Sequence, residues 1–158
     1  MKTLFVPFLA LFFVLHIMCC KQEEKTVADL KTHLPGEWEV ESLHVQVNTA
    51  DNTDSSYVFE AQRDSWVAQF QVKPFRTYYG EDNKYRIEYR TQYDSIISTS
   101  RGIWNVFGDT LWRIEPTATY QYVVKLKPGR LEYKTLVDWD GDGQEDDDYT
   151  EVQRFLGR

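Results

Sequence analysis

Between positions 138 and 148 the chain reads DWDGDGQEDDD, with seven acidic residues and no basic one. The spacing of these acids matters more than their number. Asp138, Asp140, Asp142 and Asp146 occupy the first, third, fifth and ninth places of one window, and Gly143 occupies the sixth. A loop coiling around a hard cation turns alternate carboxylates toward one point, and calcium takes about six to eight oxygen ligands in such an arrangement. Gln144, at the seventh place, offers a backbone carbonyl, while Gly143 permits the sharp reversal that brings both halves of the loop to the ion. A cation would also relieve the repulsion among the eight carboxylates between Asp138 and Glu151. Two alternatives stay open. One is an empty, solvated turn, since Asp-Gly forms turns readily and acidic residues favour solubility. The other is a different divalent ion, although magnesium demands a tighter octahedron and zinc prefers histidine or cysteine, neither of which is nearby.

The surroundings of the loop narrow its type. An EF-hand would place a bidentate glutamate at the twelfth position, where this chain has Tyr149. Its flanks would be helical, whereas the flanking residues here alternate as strands. The loop instead resembles the aspartate-rich calcium loop between two strands of integrin-type propeller blades, whose pattern stops at the ninth position. That resemblance implies a structural calcium ion that pins the final hairpin.

No second set of residues points to chemistry. The three histidines are His16, in an apolar leader, His33, before the first strand, and His44, on the polar parity of that strand. No serine sits in a recognisable nucleophile turn, and both cysteines lie near the N-terminus. Glu37, Glu39 and Glu41 alternate along what reads as a wet strand face, without apolar neighbours to raise their proton affinity. The expectation is a protein that is not an enzyme. A net charge of −7, with basic residues scattered, excludes nucleic acid as a partner, because phosphate binding needs clustered lysine and arginine.

The elements that must position the acidic loop read almost wholly as strands. Residues 29–34 form a short helical turn, stopped by Pro35-Gly36. Residues 38–47 form a strand whose apolar parity switches between Val40 and Leu43, which predicts a bulge near Ser42. Residues 48–56, NTADNTDSS, read as a polar loop with no apolar anchor. Short strands are expected at 57–60, 65–72 and 75–79. Residues 84–90 follow, with Tyr85, Ile87 and Tyr89 on one face, then 101–107, 110–114, 119–126, 130–137 and 149–156. Eight to ten short antiparallel strands without a long helix indicate a small β-barrel or a sandwich, and a barrel has the advantage of leaving no exposed edge. Ten tyrosines recur on several inward faces, where they serve equally as packed core or as the lining of a ligand cavity.

The first residues carry a targeting signal. Lys2 precedes a nearly continuous apolar run that ends at Cys19-Cys20 and is too short to span a bilayer. It resembles a bacterial lipoprotein signal, which implies cleavage, lipidation of Cys20 (Cys19 being the alternative) and a membrane anchor. The polar residues 21–25 that follow are similar to the acidic tether of surface lipoproteins of the Bacteroidota. The resemblance implies residence at the outer membrane, facing the periplasm or the surface.

LPGEWEVES, residues 34–42, resembles the opening of lipocalin-like domains, in which Gly-x-Trp begins the first barrel strand. Here the unit is Gly36-Glu37-Trp38. A second Gly-x-Trp, Gly102-Ile103-Trp104, stands in SRGIWNVFGDTLWRI and resembles later strands of lipocalin-like lipoproteins of Bacteroidota. Glycine lets the chain pass closely at the barrel base and tryptophan plugs that end. The resemblance also implies an arginine of a late strand over Trp38, with Arg130 and Arg154 as candidates. The Thr-Asp-Tyr unit of lipocalins is absent, so an open ligand cup is not carried over. The expected organisation is a signal peptide over 1–19, a tether and helical turn over 20–33, and a lipocalin-like barrel over 34–158. Two function classes follow. One is a lipid-anchored barrel that binds a small hydrophobic ligand. The other is a structural or interaction module with a filled core and an envelope protein as its partner.

Overall fold

Closure of the sheet depends on the first strand, which is long enough to hold a partner along both edges. In the computed structural model, which describes residues 30–158, the strands are β1 (Gly36–Val47), β2 (Tyr57–Gln62), β3 (Arg76–Tyr79), β4 (Lys84–Arg90), β5 (Ile96–Phe107), β6 (Thr110–Ile114), β7 (Thr119–Lys127), β8 (Arg130–Val137) and β9 (Asp147–Gly157). One helix, α1 (Arg63–Phe70), joins β2 to β3. The expected signal peptide, Cys20 and the tether up to residue 29 lie outside the described residues.

Strands β3 to β9 run as an antiparallel meander beginning at one edge of β1, and β9 returns to its other edge, which closes an eight-stranded barrel. Strand β2 is a ninth, attached outside the ring to the second half of β1. The register between β1 and β9 slips between Val40 and Ser42. This bulge lets Trp38 and Val40 point inward on one parity and Leu43, Val45 and Val47 on the other, all of them buried.

The base of the barrel holds the start of β1, the β3–β4, β5–β6 and β7–β8 turns, and a helical turn over 30–33 that closes with Leu34 N–H donating to the Leu30 carbonyl at 2.9 Å. Both Gly-x-Trp units lie here. Trp38 donates its indole N–H to the Leu34 carbonyl at 2.8 Å, and Trp104 donates its own to the Gly80 carbonyl at 3.1 Å. A β-carbon on Gly102 would stand 2.2 Å from the Ile114 carbonyl, and one on Gly36 would stand 2.5 Å from the Phe155 ring. Strand and chain pass too closely for any side chain. The ring over Trp38 is Phe155, at 4.8 Å, and not an arginine. Arg130 and Arg154 face outward, where Glu41 and Glu39 hold them in ion pairs at 2.6 and 2.7 Å.

Two local expectations are corrected. Residues 65–72 do not form a strand, because Trp66 and Phe70 are four apart and meet on one face of α1 with ring centroids 4.7 Å apart. Trp66 is buried against Val40, Leu43, Val45 and Val47, so a helical face satisfies the apolar residues that also alternate. Ser65 assists at the start, accepting from the Gln62 N–H at 3.4 Å and donating to its carbonyl at 3.1 Å. Loop 48–56 does have an anchor. Ala50, in a 3₁₀ turn over Ala50–Asn52, is buried in the same cluster as Trp66.

Candidate functional site

Loop 138–146 joins β8 to β9 at the opposite end from the two Gly-x-Trp units, which we call the mouth. Ligand oxygens of Asp138, Asp140 and Asp142 lie within 4.8 Å of one another. Two oxygens on one calcium ion, each at about 2.3–2.6 Å, are at most about 5 Å apart, so the three carboxylates fit a shared ion. Gly143 sits at φ +91°, which an L side chain rarely adopts. Asp146, by contrast, accepts a hydrogen bond from the Thr49 hydroxyl at 2.8 Å, and the Gln144 side chain donates to Asn52.

Much of the negative charge is met by backbone donors. Asp140 accepts from the Asp51 N–H at 2.7 Å, and Asp142 accepts from the Asn52 N–H at 3.2 Å. Within the loop, Gly143 N–H donates to Asp138 at 3.0 Å and Gln144 N–H donates to Asp142 at 2.8 Å. Asp147 is wholly buried and accepts from the N–H groups of Asn48 at 2.8 Å and Trp139 at 2.7 Å. Thr49, Asp51 and Asn52 occupy the left-handed region, at φ 45°, 53° and 58°. That conformation turns the donors of loop 48–56 toward the acids. Sequence reasoning missed this partner, because 89 to 100 positions separate the bonded residues.

The barrel interior is a second candidate. Its inward faces carry Tyr79, Tyr85, Tyr122 and Tyr133 beside Trp104, Leu111, Val124 and Leu131. Buried polar residues stand among them: Thr77, Arg113, Glu151 and Gln153. Glu151 accepts from Gln153 Nε2 at 2.5 Å and from the Tyr149 hydroxyl, while Gln153 also donates to Thr77 at 3.2 Å. Burial pushes the Tyr79 hydroxyl above its ordinary range and the Tyr133 and Tyr149 hydroxyls well above it, so they remain protonated donors at neutral pH. Arg113 lies with its guanidinium 4.2 Å from the Tyr122 ring centre, and its Nε and Nη1 have no hydrogen-bond partner. The signal for Arg113 was present in the sequence, since it shares strand parity with inward Leu111.

Glu39 is not on a wet face. It is 5 % exposed and is enclosed by Arg63, Arg76 and Arg154 at 3.0, 3.1 and 2.7 Å. Burial alone would raise its carboxyl, but hydrogen bonds from Arg154, Arg63 and Arg76 outweigh it and hold the group below the ordinary carboxylate value. His44 lies exposed on the outer face and pairs with Glu60 at 3.0 Å. No family model and no curated protein matches this chain.

Proposed function

We propose that the protein is a non-enzymatic, lipid-anchored envelope barrel that takes a small molecule in its interior and carries a structural calcium ion on the β8–β9 loop. The observation that carries the ligand-binding reading is the polar interior. A barrel filled only for stability would use aliphatic residues, because each buried polar group costs free energy unless it is fully paired. This interior holds Arg113, Glu151, Gln153 and Thr77 among its aliphatic and aromatic residues. The anchor at Cys20 and the outer-membrane location rest on the resemblance of the first residues to a lipoprotein signal.

The ion reading is supported by the shared reach of Asp138, Asp140 and Asp142, with the Gln144 carbonyl and Asp146 completing the set once the Thr49 contact is released. Calcium here supplies cross-linking of the loop and no reaction step. Thermal melts in about millimolar calcium and in chelator test it, since extracellular modules bind in roughly that range. A rise in Tm with calcium, lost in the D140N/D142N double variant, is the expected result. Identical melts in both conditions would leave the backbone donors of loop 48–56 as the sole clamp.

A second reading, a filled structural or interaction module, is favoured by the complete burial of Leu111, Leu131 and Tyr133. Native mass spectrometry of the protein purified from membranes of its source separates the two. The ligand-binding reading expects a non-covalent small-molecule adduct that leaves on denaturation, and the module expects none. Labelled fatty acid incorporated in the same preparation tests Cys20.

A further inference from the structure

We propose that Arg113 is the head-group site of the barrel and binds the carboxylate of a small, otherwise apolar molecule entering at the mouth. This inference rests on the ligand-binding reading above and specifies its ligand.

Arg113 is only 5 % exposed. Its Nε and Nη1 are buried without an acceptor. None of the ion pairs among the described residues includes Arg113. Glu151, the buried carboxylate of the same interior, is already engaged by Tyr149 and Gln153. Tyrosine faces lie around the guanidinium, with Tyr122 at 4.2 Å, Tyr133 at 5.8 Å and Tyr85 at 6.0 Å. They temper the positive charge through their π-systems, but a ring face does not accept the in-plane N–H bonds. Removing a charged donor from water without an acceptor is among the most costly arrangements in a fold. Nε and Nη1 therefore still lack acceptor oxygens, whatever the Tyr122 hydroxyl supplies to the rest of the guanidinium.

Exposure rises from the barrel interior toward the mouth. Along the inward parity of β7, Val124 is 3 % exposed, Tyr122 9 % and Tyr120 44 %, so the barrel opens within one strand repeat of Arg113's neighbour. On β5, opposite Tyr89, Ser98 is exposed as well. Beside this opening the Tyr85 hydroxyl donates to Glu115 at 2.8 Å, and Ser100 donates to the same carboxylate.

The chemistry of the occupant follows from charge and shape. A carboxylate offers two planar acceptors that match the guanidinium fork, and its single charge adds least to that of Glu151, which already acts on Arg113 through space. A phosphate would bring more charge toward Glu151 and Glu115. Behind the head group the walls are Ile87, Leu111 and Val124 with the tyrosine rings, which suits an apolar remainder.

Isothermal calorimetry of the purified full-length protein with decanoate and with 1-decanol tests the proposal, because these probes differ only in the head group. Trp104, directly opposite Arg113 in the β5–β6 register, gives an independent fluorescence signal. In the wild type, decanoate should bind at least about tenfold more tightly than decanol, a difference of about 1.4 kcal/mol. R113M should abolish that preference by weakening decanoate. Its ligand-free Tm should rise, because an unpaired charge is replaced by an apolar chain of similar length. R113Q serves if R113M does not fold. Equal affinity for acid and alcohol in the wild type, or a preference that survives R113M, would overturn the Arg113 site while leaving the ligand-binding barrel standing. Binding of neither probe would overturn both.

Discussion

Glu39 shows how a residue's role departs from its local pattern. In the sequence it is the middle of three alternating glutamates and reads as solvent-facing. In the fold it is buried because Arg63 from α1, Arg76 from β3 and Arg154 from β9 converge on it. Nothing within ten residues of Glu39 announces those partners, whereas the neighbouring Trp38 announces its own burial by type alone. The arrangement has a consequence in acid. Because the folded carboxyl is held below its ordinary value of 4.5, the unfolded chain binds the proton more readily over that interval. Its stabilising contribution is therefore complete above the ordinary value and is lost as pH falls through the folded one. Glu88, which burial alone would raise, is also held low, by Arg90 and Arg86, and acts in the same direction. E39Q should cost about 1–2 kcal/mol at neutral pH, the arginines being partly solvated. Thermal melts from about pH 6 to pH 3 should show the wild type losing Tm more steeply than the variant, so that the two converge in acid. Parallel curves would mean that Glu39 does not titrate in that window.

At the scale of elements, the strands of the meander were legible because period-two alternation is a local property. The bulge in β1 was legible too, as a change of phase between Val40 and Leu43. Helix α1 was not, since Trp66, Ala68 and Phe70 alternate as well as any strand does. Only the packing of Trp66 and Phe70 on one face decides for the helix. The grouping of Asp138, Asp140 and Asp142 was legible from their alternation, but the support of their loop by loop 48–56 was not. Asp147 links the two loops. Its carboxylate takes the N–H groups of Asn48 and Trp139 in a wholly buried position. Replacing it by alanine leaves two partly buried donors unpaired, which should cost about 1–3 kcal/mol. This loss should appear in chelator as well as in calcium, because the bonds are within the chain. Chemical denaturation of D147A under both conditions measures it. A loss confined to the calcium-loaded protein would instead make Asp147 part of the ion site.

For the whole molecule, closure divides the chain into a ring and an attachment. Every ring strand is hydrogen-bonded on two sides, and β1 and β9 share nine paired positions that join the two ends of the sequence. Exchange of any ring amide therefore requires breaking a closed ladder, for which no partial opening is cheap. Strand β2 has a single neighbour, β1, and its outer residues Tyr57 and Val58 are about half exposed. Helix α1 follows it directly and rests on the ring through Trp66, Phe70 and their contacts with Phe59 and Phe75. These two elements lie at the mouth beside the acidic loop, so they form the part of the molecule that can open while the ring stays intact. Native-state hydrogen exchange should place the amides of β1, β8 and β9 at the global unfolding free energy. The amides of β2 and α1 should exchange through a smaller opening, about 2 kcal/mol or more below it. Calcium should raise protection in loop 48–56 together with loop 138–146, because the Asp51 and Asn52 amides are bonded to the proposed ligands. If β2 and α1 instead exchange only with the ring, the attachment is part of one cooperative unit, and the proposed ligand would have to enter past β5–β7 with α1 fixed.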